Sequence, residues 1–95
     1  MDGLDPLIHT PKRLQLVTTL SAVSEAEFAT LRSMLDVSDS VLSKHVSALV
    51  EAGYLHSRKS VHAGRRTTWV GLTKVGRRAL TDHVAAVRRL IDVVD

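Results

Sequence analysis

A chain of 95 residues suffices for one small domain with a marginal core, because chains of this size bury roughly 60 to 70% of the surface they expose when unfolded. It holds no cysteine, which excludes disulfides, thiolate metal sites, iron-sulfur clusters and a cysteine nucleophile. The net charge of +3 is modest but segregated: residues 40–80 carry eight cations against Glu51 alone, a net of +7, while residues 1–39 sum to −3 and residues 81–95 to −1. No apolar run approaches the ~20 residues of a membrane span. The first six residues, with Asp2 and Asp5, lack the basic and then apolar order of a signal peptide, so a soluble, cytoplasmic protein is expected.

Residues 4–8 form a short apolar stretch before Thr10-Pro11, which predicts a helix start with threonine accepting at the N-cap and proline in the first helical position. Leu14, Leu16, Val17 and Leu20 give this first helix its inner face, and residues 21–24 end it. Residues 24–28 read as a brief extended approach to a second helix, whose apolar side is Phe28, Leu31, Met34 and Leu35. Asp36-Val37 breaks that helix and Ser38 caps the next. So short a break permits only a sharp turn between two packed helices.

The third helix is expected over residues 39–52, with Gly53 at the left-handed C-terminal position. Leu42, Val46, Leu49 and Val50 share one side, while Ser40, Val41, Lys44, Ser47 and Ala48 point the other way. That outer face is small and polar and can approach a partner closely. Residues 54–61 and 67–72 read as two strands around a five-residue connection, His62-Ala63-Gly64-Arg65-Arg66. Trp69 and Tyr54 follow the strand pattern and are read as sheet or core packing rather than base stacking. Thr73 then caps a last helix running to about Val94, roughly 30 Å long. Val75 and Ala79 are expected to face its own domain. Leu80, Val84, Val87, Ile91 and Val94 are spaced four, three, four, three, a seam of about two heptads that Leu4, Leu7, Ile8 and the first helix would complete.

The order helix, helix, helix, strand, strand, long helix gives a mainly α fold with a small antiparallel β-hairpin, the arrangement of a winged helix-turn-helix. One domain over residues 1–95 is expected, its terminal helices at about 4–22 and 74–94 forming a dimer interface. Positive charge concentrated on a helix and hairpin is the footprint of nucleic-acid binding. A merely solvated basic face accounts for one charged helix but less well for a bias spread over three successive elements.

Leu42-Ser43-Lys44-His45-Val46, Leu49, Glu51-Ala52-Gly53-Tyr54, Gly64-Arg65-Arg66-Thr67, Leu72-Thr73 and Gly76-Arg77 together resemble the winged-helix transcriptional regulators of the MarR (multiple antibiotic resistance regulator) superfamily, above all its short single-domain members. The resemblance is close over residues 28–80 and looser in the flanking helices. It implies that the helix at residues 38–52 enters the major groove, that the hairpin at residues 58–67 lies along the backbone or in the minor groove, and that terminal helices pair two subunits. Longer members add helices that build a ligand pocket, and this chain is too short for most of them, so whether a small-molecule effector acts on it is left open by the resemblance. Gly64 precedes Arg65-Arg66 where that superfamily often has aspartate. The related ArsR metal sensors match less well, since only Asp82-His83 stands where their ligands would.

The candidate DNA-binding residues are Ser38, Ser40, Val41, Ser43, Lys44, His45 and Ser47 on the helix, and Arg58, Lys59, His62, Arg65, Arg66 and Thr67 on the hairpin. Hydroxyls and cations serve both phosphate fixing and base-edge reading. His45 lies on the helix flank, where local packing or capping competes with contact. No nucleophile elbow, phosphate loop or metalloprotease helix occurs, and the five histidines are scattered, so neither enzyme, cofactor nor metal site is expected. The expected function is a sequence-specific DNA-binding transcriptional regulator, a homodimer on a palindromic site. Two rivals are a winged-helix module that binds protein, and a nonspecific architectural DNA binder. Lys44 and the arginine-rich hairpin argue against the first; equal affinity for random and selected duplexes would support the second.

Overall fold

Pro11, with its fixed φ, opens α1 (Pro11–Ser21) in the computed structural model, which describes residues 4–94. Thr10 adopts the extended backbone of an N-cap, but its side chain makes no capping bond, so the proline alone marks the start. Leu16, Val17 and Leu20 are buried and Leu14 half-buried. The approach to the second helix is a short strand, β1 (Ala26–Glu27), antiparallel to β3, with Ala26 opposite Val70 and Glu27 opposite Trp69. The expected two-stranded hairpin is therefore a three-stranded sheet in the order β1-β3-β2.

α2 (Phe28–Leu35) buries Leu31 and Leu35, whereas Met34 is exposed, because it sits roughly 80° around the helix from that stripe. Asp36 turns the chain at once in the left-handed conformation (φ 53°), and the Lys12 ammonium donates to the Leu35 carbonyl at 2.5 Å. Ser38 Oγ then accepts from the Val41 amide at 3.2 Å, capping α3 (Asp39–Glu51) as expected. Leu42, Val46 and Leu49 face inward, but Val50 is left partly exposed. Gly53 (φ 82°) closes the helix: its amide bonds Val50 O and the Tyr54 amide bonds Leu49 O, both at 2.9 Å, a Schellman pair.

β2 (Leu55–His62) and β3 (Arg65–Leu72) pair residue for residue from Leu55↔Leu72 to His62↔Arg65. The connection is thus two residues, Ala63 and Gly64, with φ of 52° and 77°. Positive φ at both positions is the tight turn whose twist matches the strands, so Arg65 and Arg66 belong to β3 rather than to a loop. Thr73 Oγ1 accepts from the Gly76 amide at 2.9 Å and donates to Gly53 O at 2.6 Å, tying the start of α4 (Lys74–Val94) to the end of α3.

α4 turns Leu80, His83 and Ala86 into the protein, with Ala79 packed at the core's edge. Val75, expected there, is 59% exposed instead. Ile8, assigned to a subunit seam, is fully buried in the chain's own core, and Leu80 is nearly so, which leaves neither much surface for a partner. The Val94 side chain lies outside the described residues.

A partly buried polar cluster around the buried His83 holds residues 4–9 on α4. The Asp5 amide donates to His83 Nδ1 at 3.1 Å, which puts the His83 proton on Nε2, from where it is shared with His9 Nδ1 at 3.3 Å. The Asp5 carboxylate accepts from the Leu7 amide at 2.9 Å and from the Tyr54 hydroxyl at 2.5 Å, and this bond is the main reason the Tyr54 pKa is pushed up to about 12. Burial first, then the neighbouring His9, holds His83 below its ordinary value of 6.5. A proton on Nδ1 would also confront the Asp5 N–H with a second donor. The unfolded chain therefore binds this proton more readily, so stability is full above pH 6.5 and falls as pH drops through it. His45, also lowered, adds to the effect with the same sign. The thermal midpoint should be flat from about pH 8 to 7 and fall toward about pH 5.5. His83→Gln, which keeps one acceptor and one donor without titrating, should flatten the fall; a wild-type midpoint constant over that range would refute the account.

Candidate nucleic-acid interface

Position on α3 decides what its outer face can offer. Ser40, Val41, Ser43, Lys44 and Ser47 are all exposed, and no carboxylate interrupts residues 40–50. Ser38 Oγ and Ser40 Oγ are 3.2 Å apart at the amino end, where Asp39 is paired with Arg32 at 2.9 Å. Short hydroxyl side chains allow close backbone approach, Val41 offers an apolar contact, and Lys44 supplies the one long cation. His45 differs: it is half-buried, and its Nδ1 accepts from Arg13 Nε of α1 at 3.0 Å. Neutral His45 therefore carries its proton on Nε2, and burial followed by the Arg13 charge lowers its pKa.

The register splits the hairpin candidates between two faces. Arg58↔Trp69, Ser60↔Thr67 and His62↔Arg65 occupy the outer face of the sheet, together with Glu27 of β1. Lys59↔Thr68 and Val61↔Arg66 occupy the face that, nearer the base, carries the buried Leu55 and Val70. On the outer face Arg58 grips Glu25 with Nε at 2.9 and 3.0 Å and Nη2 at 2.8 Å, and its guanidinium lies 5.7 Å from the Trp69 ring centroid. These hydrogen bonds are the main reason the Glu25 carboxyl is held below its ordinary value and the Arg58 guanidinium above. Arg65 pairs with Glu27 at 3.0 Å. Among the described residues, Lys44, Lys59 and Arg66 have no ion-pair partner.

The expected helix and wing residues thus lie on two neighbouring elements, α3 and the hairpin, but not as one uniform basic surface. Sequence reasoning missed Arg13 behind His45 and the carboxylates Glu25 and Glu27 behind Arg58 and Arg65. The second pair had a signal: Glu25-Ala26-Glu27 read as extended chain puts both carboxylates on one face.

Among the described residues no helix is long and apolar enough to cross a membrane. A family model for a winged helix DNA-binding domain matches residues 12–91. The chain is 30% identical over 84 residues to an uncharacterized protein of Methanocaldococcus jannaschii, spanning 88% of this chain and 91% of that one. It superposes with a TM-score of 0.88 on a transcriptional regulator homologue from Pyrococcus horikoshii OT3, at 25% identity, covering 94% of this chain and 88% of that one. The zinc-responsive MarR family member ZitR of Lactococcus lactis shares the fold at a TM-score of 0.64 and 19% identity, with 90% of this chain aligned to 58% of that one. The chain belongs to the winged helix DNA-binding domain family, with the fold of MarR-family transcriptional regulators.

Proposed function

We propose that the chain is a cytoplasmic, sequence-specific transcriptional regulator that binds a palindromic duplex as a homodimer. The observation that carries this reading is the outer face of α3, which pairs a carboxylate-free row of hydroxyls with the unpaired Lys44, next to a hairpin holding the unpaired Lys59 and Arg66. Ser40, Val41, Ser43, Lys44 and Ser47 then face the major groove, Ser38 and His45 flank them, and the hairpin runs beside the backbone or in the minor groove with Lys59 and Arg66 toward it. Dimerisation would use the terminal segments. Leu4 and Leu7 at the amino end and Val84, Val87 and Ile91 on α4 keep exposed or half-buried apolar surface for it, while Ile8 and Leu80 serve the protomer's own core.

Selection from a random duplex pool, followed by salt titration, tests the reading. Enriched sites should be two inverted half-sites about one helical turn apart, and roughly six to eight phosphate contacts per dimer should make log K fall with log salt at a slope of about −5 to −7. Salt-dependent binding without an enriched sequence would leave the architectural reading. No duplex binding at low salt would refute the DNA function.

A further inference from the structure

The two faces of the hairpin are chemically unequal, and the inequality assigns different tasks to its four long cations. This rests on the DNA-binding reading above. We propose that Arg58, held between Glu25 and Trp69, is a brace that fixes the angle of the wing to the domain, and that the wing meets phosphate through Lys59 and Arg66 on the opposite face.

Arg58, though exposed, is committed to partners of its own protomer. Three hydrogen bonds of 2.8 to 3.0 Å engage both carboxylate oxygens of Glu25, and the guanidinium lies over Trp69, its cross-strand partner. Glu25 precedes β1, whereas Arg58 stands midway along β2, so their bond spans the central β3 on the outer face of the sheet and joins the domain body to the hairpin. Glu27 and Arg65 repeat the link nearer the tip at 3.0 Å. A phosphate seeking Arg58 would have to displace a carboxylate already seated with bidentate geometry, which gains little electrostatically. A rigid planar fork held beside an aromatic ring suits a strut.

Lys59 and Arg66 have neither constraint. They sit diagonally across the β2–β3 ladder, with Thr68 and Val61 as their direct partners and no carboxylate on their face of the hairpin. At its base this face bears Leu55 and Val70, which are packed into the core beneath the helices. The distal part of the same face therefore looks toward the side of the sheet on which α3 lies. A duplex laid against α3 meets Lys59 and Arg66 first and has Arg58 turned away from it. Arg58 and Glu25 are positioning residues.

The test is the salt dependence of affinity for a selected duplex, measured for the wild type and single variants of the full chain. Arg66→Gln and Lys59→Gln should each flatten the slope of log K against log salt by about 1 per protomer, as the loss of one phosphate contact requires. Arg58→Gln should leave the slope unchanged and weaken binding by the same factor at every salt concentration. Arg58→Lys separates the tasks further: it keeps the charge but loses the fork, so a brace fails in it as in Arg58→Gln, whereas a phosphate contact survives. Glu25→Gln removes a negative charge, which would tighten DNA binding if the carboxylate merely masked Arg58; a brace requires that it weaken binding. Unchanged circular dichroism and thermal midpoints in the free variants confirm that each is folded. A slope flattened by Arg58→Gln, a near-wild-type Arg58→Lys, a tighter Glu25→Gln, or unchanged slopes in Arg66→Gln and Lys59→Gln would overturn the assignment and leave DNA binding standing. A wild type with no duplex affinity at low salt would instead overturn the DNA reading and this assignment with it.

Discussion

Replacing Gly76 by alanine should destabilise the fold by about 2 to 3 kcal/mol, although alanine is the better helix former by about 1 kcal/mol. The methyl carbon would stand 2.1 Å from the Tyr54 carbonyl oxygen and 2.8 Å from both its carbonyl carbon and Leu72 Cδ1. The obstacle is mostly backbone, and that backbone is already committed. Tyr54 O accepts from the Thr73 amide at 3.0 Å and from Thr73 Oγ1 at 3.1 Å, while the Tyr54 amide closes the end of α3 through Leu49 O at 2.9 Å. Moving Tyr54 away would loosen α3, β2 and the start of α4 together, so overpacking outweighs propensity. A urea titration should show a lower midpoint with the same slope. Gly64→Ala supplies the contrast, since nothing lies within 4 Å of the added carbon but φ is 77°; there the cost is the positive φ alone, about 1 kcal/mol. A Gly76→Ala protein as stable as the wild type would mean that this junction yields freely.

Most of the element order was readable because it is written locally. Ser38 before an amphipathic run, Gly53 after it and Thr73 three residues ahead of Gly76 are capping signals, and each acts within one turn. β1 is legible in the sequence only as extended chain, because two residues cannot display alternation and its pairing partner stands more than forty residues away. The turn is shorter than the sequence suggests because Ala63 at positive φ is an unfavourable choice that its own sequence does not announce. Met34 and Val75 are apolar residues on faces that the assembled layers leave open, a matter of where neighbours end rather than of periodicity.

The site was readable in position but not in charge state. Segregated cations pointed to α3 and the hairpin, yet the pairing of Arg58 with Glu25 and of Arg13 with His45 spans 33 and 32 residues. Such pairs follow from which strand lies beside which. A count of cations along the chain therefore overstates the charge available to a duplex: two of the four hairpin cations are already balanced by carboxylates of the same protomer.

Aspartate at both Val87 and Ile91 should convert the protein to a monomer and weaken binding to a palindromic site by roughly 10²- to 10⁴-fold, the range over which joining two binding modules raises avidity. α4 outruns the domain it belongs to. Leu90, though on the side of the helix that faces the core higher up, is 48% exposed, Ile91 is 60% exposed and Val93 83%, while Val84 lies partly open. Val84 and Ile91, roughly 20° apart around the helix, and the half-buried Val87 beside them form an apolar strip that its own chain does not cover, while Val93 lies on the opposite side. About two heptads are too few for a stable isolated coiled coil, so the partner helix needs support. Residues 4–9 can give it, because Asp5 is fixed to both His83 and Tyr54 between the half-buried Leu4 and Leu7, the latter packed at the edge of the core. Paired about a twofold axis, such strips would place two α3 helices to read inverted half-sites. Carboxylates at residues 87 and 91 would be desolvated in that seam without a partner, at a cost of several kcal/mol for each ion. In the monomer residue 91 faces water, so the variant should stay folded by circular dichroism while sedimentation equilibrium at tens of micromolar finds half the wild-type mass. A wild type that sediments as a monomer, or a double variant that remains dimeric, would place the subunit contact elsewhere on the molecule or remove it.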